Sequence, residues 1–246
     1  MLEQEQQALL LDFSHYGRIT KMEKKTIFPE YDNVEVRKTG LFYRFVKRAF
    51  DFTFSLLLLL LIGWFLIIVA IFVSISSHGT PLYKDKRVGR WGKELNVLKF
   101  RSMFVDANTK PEKYLNKEQL EQFKNERKVD NDPRVTKIGR LIRKTSIDEL
   151  PQIINIFLGN MTFVGPRPIT QQEFELHFTP KQTEIYQSAK PGLTGYWQVS
   201  GRNDISFGSG ERQRIELEYF RIRGIWTDTK ILFKTIPAVL EHKGAK

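Results

Sequence analysis

The 246-residue chain contains no cysteine, which excludes disulfides and thiolate chemistry and leaves the redox compartment unmarked. Charge is missing from one long interval: between Arg48 and Lys84 the single formally charged residue is Asp51. Proline is absent from Asp51 to Thr80, so nothing there forces a helix to break. The first 26 residues are polar and lack an apolar stretch of signal-peptide length, so no cleavable leader is expected. Helix-turn-helix, RNA-recognition and zinc-finger patterns are also missing, and the basic residues are spread along the chain. Nucleic acid is therefore set aside as a partner despite a formal charge of +11 from 39 basic and 28 acidic residues. Such an excess then suits anionic lipid or a phosphorylated substrate.

What fills the charge-free interval is apolar. Phe52 to Val73 is almost unbroken Leu, Ile, Phe and Val, softened at Thr53, Ser55, Gly63 and Ala70. A run of about 18 or more such residues reads as a membrane-inserted helix. Arg37, Lys38, Arg44, Lys47 and Arg48 precede it, and Lys84, Lys86, Arg87, Arg90 and Lys93 follow. Basic flanks favour the cytoplasmic side, and here both flanks are strong. The segment either spans against that rule or enters and turns back, the latter needing a break for which Gly63 is the candidate. A mid-helix glycine costs only about 1 kcal/mol relative to alanine, so it permits a bend without demanding one.

The chain divides into a polar extension (residues 1–40), a membrane-inserted helix with its flanks (41–80) and a compact domain (81–246). The domain is long enough for its own core. Its expected class is helix-rich α+β, membrane-associated, with interfacial amphipathic helices and a small β-hairpin. The hairpin is expected over Leu82 to Phe100 with its turn at Gly89-Arg90-Trp91-Gly92. A charged helix is expected from Lys117 to Lys128, then a turn at Asp130-Asn131-Asp132-Pro133. Leu150, Ile153, Ile154, Phe157 and Leu158 have the spacing of an amphipathic helix that Gly159 ends. Near the C-terminus Ile231, Leu232, Ile236, Val239 and Leu240 lie among lysines, which suits either a membrane-surface helix or one packed on the core.

Asp148 and Glu149 are adjacent carboxylates at the expected start of that amphipathic helix. Ser146-Ile147-Asp148-Glu149 fits a capping box, although Pro151 would then fall inside the helix and remove a hydrogen bond. The chemical reading rests on the surroundings: Arg140, Arg143 and Lys144 come just before, and Arg167 follows between two prolines. Carboxylates among cations suit Mg²⁺ and phosphate, and an ionised Asp can attack phosphorus.

Four segments appear in order: Lys99-Phe100-Arg101-Ser102-Met103, Arg143 to Gln152 (RKTSIDELPQ), Val164-Gly165-Pro166-Arg167-Pro168, and Pro191 to Arg202 (PGLTGYWQVSGR). Together they make residues 44 to about 240 resemble the bacterial sugar transferases, the monotopic phosphoglycosyl transferases that start exopolysaccharide and related glycans. The resemblance implies transfer of a sugar-1-phosphate from a UDP-sugar to undecaprenyl phosphate, with Mg²⁺ and release of UMP. It implies Asp148 as nucleophile, and Glu149 sharing the metal with it and assisting proton transfer. Lys99, Arg143, Arg167, Gln198 and Arg202 would bind phosphate or nucleotide sugar, and Asp228 matches a family acid grouped here with the substrate-binding residues. It also implies a domain on the cytoplasmic face of the inner membrane, with anionic lipids and other polysaccharide-assembly enzymes as partners. In the family a Ser-Pro pair breaks the membrane helix; Gly63-Trp64 stand there in this chain. The rival expectation is a catalytically silent scaffold of a polysaccharide assembly complex.

Overall fold

The computed structural model describes residues 27–126, 129, 131–200 and 210–240. The apolar run forms one helix, α1 (Leu41–Ser77), with 37 residues, about 55 Å at the usual rise. It is continuous through Gly63 and Trp64, because a glycine keeps its N–H and leaves the hydrogen-bond ladder intact. It stops where His78 turns left-handed (φ 57°) and returns its N–H to Ser74 O.

One narrow stripe of α1 is covered: Asp51, Ser55, Leu66, Val69, Val73 and Ser77. The opposite face is bare, with Leu57, Leu60, Leu61, Trp64, Ile67, Ile71 and Ile75 all more than half exposed. A helix of this composition with only 11% of its most apolar stretch buried is not a core helix, and its length and composition allow it to cross a membrane.

The rest of the domain is built on the covered stripe. The hairpin pairs β1 (Leu82–Val88) with β2 (Glu94–Phe100) antiparallel, from Leu82 opposite Phe100 to Val88 opposite Glu94, and its turn is the expected one. A short helix α2 (Lys117–Glu126) follows; Arg127 and Lys128 of the expected helix, and Asp130 of the expected turn, lie outside the described residues. Helix α3 (Lys137–Lys144) opens with the Thr136 hydroxyl accepting from Gly139 N–H and ends in Arg143 and Lys144, where cations suit the helix dipole. Helix α4 (Gln152–Leu158) is the expected amphipathic one, closed by Gly159 at φ 85°. It packs on the first half of α1, while Ile142 of α3 joins Leu66, Val69, Val73 and Phe100 further along.

A second sheet was not foreseen. β3 (Thr162–Val164) runs parallel to β4 (Gly192–Thr194), with Thr162 opposite Gly192 and Val164 opposite Thr194. Two capped helices, α5 (Gln171–His177) and α6 (Pro180–Gln187), make the crossover. Short α7 (Tyr196–Val199), then α8 (Glu211–Ile222) and α9 (Ile225–Leu240), complete the described fold. In α9 Ile231 is buried in the core while Trp226, Phe233 and Ile236 are exposed, so the helix packs on the domain and leaves an apolar face outward.

The parallel pair explains two motif glycines. A Cβ on Gly192 would overlap the backbone of Gly165 and Thr194, whereas a Cβ on Gly63 would meet nothing within 4 Å. Gly192→Ala is therefore expected to lower stability by about 1–3 kcal/mol, the usual cost of overpacking. Gly63→Ala should be neutral or stabilising by up to about 1 kcal/mol. Thermal unfolding of both variants in one detergent checks this; equal losses would refute the close approach.

Candidate active site

Asp148 and Glu149 lie on a 3₁₀ turn, Ile147–Glu149, between α3 and α4. Ser146 before it is left-handed (φ 56°) and its side chain caps nothing. The expected capping box is thus absent, and Pro151 is the cap position of α4 rather than an interior residue. A single proline at a helix start loses no hydrogen bond, so the chain makes a tight turn first and the helix begins after it. A left-handed serine is uncommon and costly; here it orients the turn that carries both carboxylates.

Around the turn the structure gathers Lys99 and Arg143. Lys99 Nζ is 3.7 Å from Glu149 Oε1 and 3.5 Å from Asp85 Oδ2. Arg143 Nε donates to Ser102 Oγ at 2.8 Å, and burial lowers its pKa. Asp85 also accepts from Arg87 at 2.9 Å, and Arg87 reaches Glu173 at 3.3 Å, so alternating charges run from the site along the hairpin. Burial is the main cause that raises the Asp148 carboxyl to about 6, and the Glu149 charge adds to it. Lys99 and Arg143 pull the other way. Residues on either side, Ile147 and Leu150, pack into the cluster formed by Leu66, Val69 and Val73 of α1. The acidic pair therefore stands beside the apolar helix.

The other expected site residues fall elsewhere. The Arg167 guanidinium stands 5.6 Å from the centre of the Trp197 ring, with Arg212 at 4.6 Å from the same ring. Its backbone is held by Tyr186, whose hydroxyl donates to Arg167 O at 2.8 Å, and by buried Glu216, which accepts from its N–H. Gln198 is one residue beyond Trp197, in α7. Asp228 is buried and binds Lys47, Tyr43 (2.9 Å) and Tyr219 (3.0 Å). Arg202 lies outside the described residues.

Sequence reasoning did not select Asp85, Ser102, Glu216 or Tyr186. Ser102 stands inside a quoted motif, and Asp85 is the single acid among Lys84, Lys86 and Arg87; both were available as signals. Glu216 carried none, since only the fold brings it under Arg167. Among the described residues no group of three or more acidic, His or Cys side chains could hold a metal. Two adjacent carboxylates are nevertheless a fitting donor set for Mg²⁺, which is commonly held by one or two carboxylates together with substrate phosphates.

A carboxyl raised by folding binds its proton more tightly in the folded chain. Stability then falls as pH rises from the ordinary value of 3.8 through about 6 and stays reduced above it. Asp148→Asn is expected to unfold at a higher temperature than the parent at pH 8, with the gap closing towards pH 4. A gap independent of pH would show that the carboxyl is not desolvated.

A family model described as bacterial sugar transferase matches residues 42–242. The chain is 43% identical over 204 residues to a UDP-galactose-lipid carrier transferase of Erwinia amylovora, covering 82% of this chain and 42% of that protein. It is 41% identical over 202 residues to the exopolysaccharide production protein ExoY of Rhizobium meliloti (strain 1021), covering 81% and 87%. It is 40% identical over 205 residues to an undecaprenyl-phosphate galactose phosphotransferase of Salmonella typhimurium, covering 82% and 42%. The chain thus spans less than half of two of these relatives and most of the third.

Proposed function

This chain belongs to the bacterial sugar transferase family, and on that premise we propose that it transfers a sugar-1-phosphate from a UDP-sugar to undecaprenyl phosphate at the inner membrane. The observation that carries the reading is the half-buried Asp148-Glu149 pair, flanked by Lys99 and Arg143 and packed beside α1. A lipid-borne acceptor needs its target at the membrane surface, and a nucleotide donor needs cations on the cytoplasmic side.

In the first step an Asp148 carboxylate oxygen attacks the phosphorus attached to the sugar. The bond from that phosphorus to the bridging oxygen breaks, UMP departs with the electron pair, and an acyl phosphate joins Asp148 to the sugar phosphate. In the second step an undecaprenyl phosphate oxygen attacks the same phosphorus, the aspartyl bond breaks, and the free carboxylate returns. Such transfers depend mainly on positioning and charge neutralisation. Lys99 and Arg143 supply fixed positive charge beside the nucleophile and keep Asp148 more acidic than burial alone would. Arg167, with its backbone clamped by Tyr186 and Glu216, suits gripping a donor phosphate. Asp148 and Glu149 would hold Mg²⁺, which when bound neutralises phosphate charge.

Purified protein in nanodiscs with undecaprenyl phosphate, Mg²⁺ and a panel of UDP-sugars tests this by UMP release. Release is expected with one sugar class and is expected to vanish in Asp148→Asn. Release that survives in the variant would remove Asp148 as nucleophile, and no release with any sugar from folded protein would favour the scaffold. Because Asp148 must be ionised, the rate should fall with acidification through about pH 6. Lys99 lowers that value, so Lys99→Ala should move the acid limb to higher pH as well as slow turnover by about 10²–10³-fold. An unmoved limb would place Lys99 away from the nucleophile.

A further inference from the structure

A cavity of about 130 Å³ opens at the N-terminal end of α1, bounded by the hairpin turn, the segment 188–190 and Arg223. Its lining carries six cations, Arg44, Lys47, Arg48, Arg90, Lys190 and Arg223, and one carboxylate, Asp51. That carboxylate is already engaged, accepting from Phe163 N–H at 3.1 Å. Of the six cations, Lys47 pairs with a carboxylate, that of Asp228. The others are held by neutral groups: Arg48 by the Ile156 and Phe157 carbonyls, Arg90 by Ser188 O, Arg223 by Arg37 O and Arg44 by the Thr39 hydroxyl. No ion pair of Lys190 occurs among the described residues. Arg90, Lys190 and Arg223 are each made less basic, chiefly by burial; Arg44 adds to this at Arg90, and Arg48 at Lys190, while Asp51 opposes it at Lys190 and Tyr219 and Tyr43 with Asp228 oppose it at Arg223.

Six cations around one lining carboxylate leave an excess of partly buried positive charge, which is costly, and a bound anion of two or more acceptor oxygens would relieve it. The volume equals roughly four water molecules, which suits one phosphate group. The place suits a particular phosphate. Arg44, Lys47 and Arg48 form the basic flank immediately before the charge-free stretch of α1, and Leu41, Phe42 and Phe45 in the same first turns of that helix are exposed. Aromatic and basic residues so arranged mark the headgroup level of a bilayer.

The cavity is separate from the Asp148 site. Lys93 at the turn and Lys99 are six positions apart along the hairpin, which puts the turn roughly 20 Å from the lysine beside Glu149. Along α1, Arg48 precedes Leu66 by 18 residues, roughly 27 Å. We propose that this cavity is a phosphate site that holds the headgroup of an anionic membrane lipid at the base of α1, apart from the site of sugar-phosphate transfer.

The test uses the full chain in an uncharged detergent, titrated with dihexanoyl phosphatidylglycerol and separately with inorganic phosphate, reading the shift in unfolding temperature. Saturable stabilisation by the lipid is expected. Lys190→Gln should weaken its apparent affinity by about tenfold, a usual cost for a charged hydrogen bond. Lys181→Gln, on an exposed position of α6, removes the same charge and should leave it unchanged. Should Lys190→Gln fail to fold, Arg44→Gln, on the exposed side of the cavity, is expected to weaken binding severalfold. Absence of saturation, or equal losses in the pocket and control variants, would overturn the site. Equal affinity for inorganic phosphate would overturn the lipid as its source, and displacement of the lipid by UDP would overturn its separation from the nucleotide site.

Discussion

Three polar residues within five positions, Lys47, Arg48 and Asp51, join an apolar helix to a charged domain, and the placement of everything else follows from that join. Arg48 donates to the Ile156 and Phe157 carbonyls near the end of α4 at 2.9 Å each, adding to the Gly159 N–H that already reaches Ile156 O. Asp51 accepts from the N–H of Phe163 in β3, and Lys47 reaches Asp228 in the final described helix. Each contact involves a charged group at least partly withdrawn from water, where losing one partner costs more than the pair is worth. An apolar helix alone could slide or rotate in lipid; these contacts set both its rotation and its depth relative to α4 and β3.

Fixing α1 in this way also fixes the acidic pair. The stripe of Leu66, Val69 and Val73 receives Ile142, Ile147 and Leu150, so the turn that bears Asp148 is held from the α1 side by packing. From the other side the hairpin delivers Lys99. Burial from below and cations from above act in opposite directions on one carboxyl, which is why it ends near neutrality rather than far above it. In the proposed reaction, desolvation would add to the reactivity of this carboxyl while the cations keep it ionised at neutral pH.

The pieces of the chain differ in how readable they were. The apolar helix, the hairpin with its Gly89 to Gly92 turn, and the amphipathic α4 with its Gly159 stop were legible because each is a local pattern: composition, alternation or helical spacing followed by a glycine. The capping box at Ser146 was a local pattern that misled. Pro151 favours a helix start at that point, and a three-residue 3₁₀ turn, Ile147–Glu149, comes just before it. The β3–β4 pair was illegible, since three-residue strands separated by two helices have no periodicity to detect, and their glycines make sense only against each other.

For the site, the sequence alone put forward Asp148, Glu149, Lys99, Arg143 and Arg167 as candidates, because acid and base crowd around short motifs and those motifs resemble a family. It also determined that the chain carries a lipid-compatible helix, because more than twenty apolar residues without charge have no other inexpensive solvent. Which of these residues stand together was decided only by the tertiary structure. Lys99 and Arg143 meet the acidic pair, Arg167 rests on Trp197 beside Arg212, and Asp228 anchors α1 instead. The reason is that proximity across 50 to 180 positions depends on how helices pack on α1, and no pattern of neighbouring residues encodes that distance.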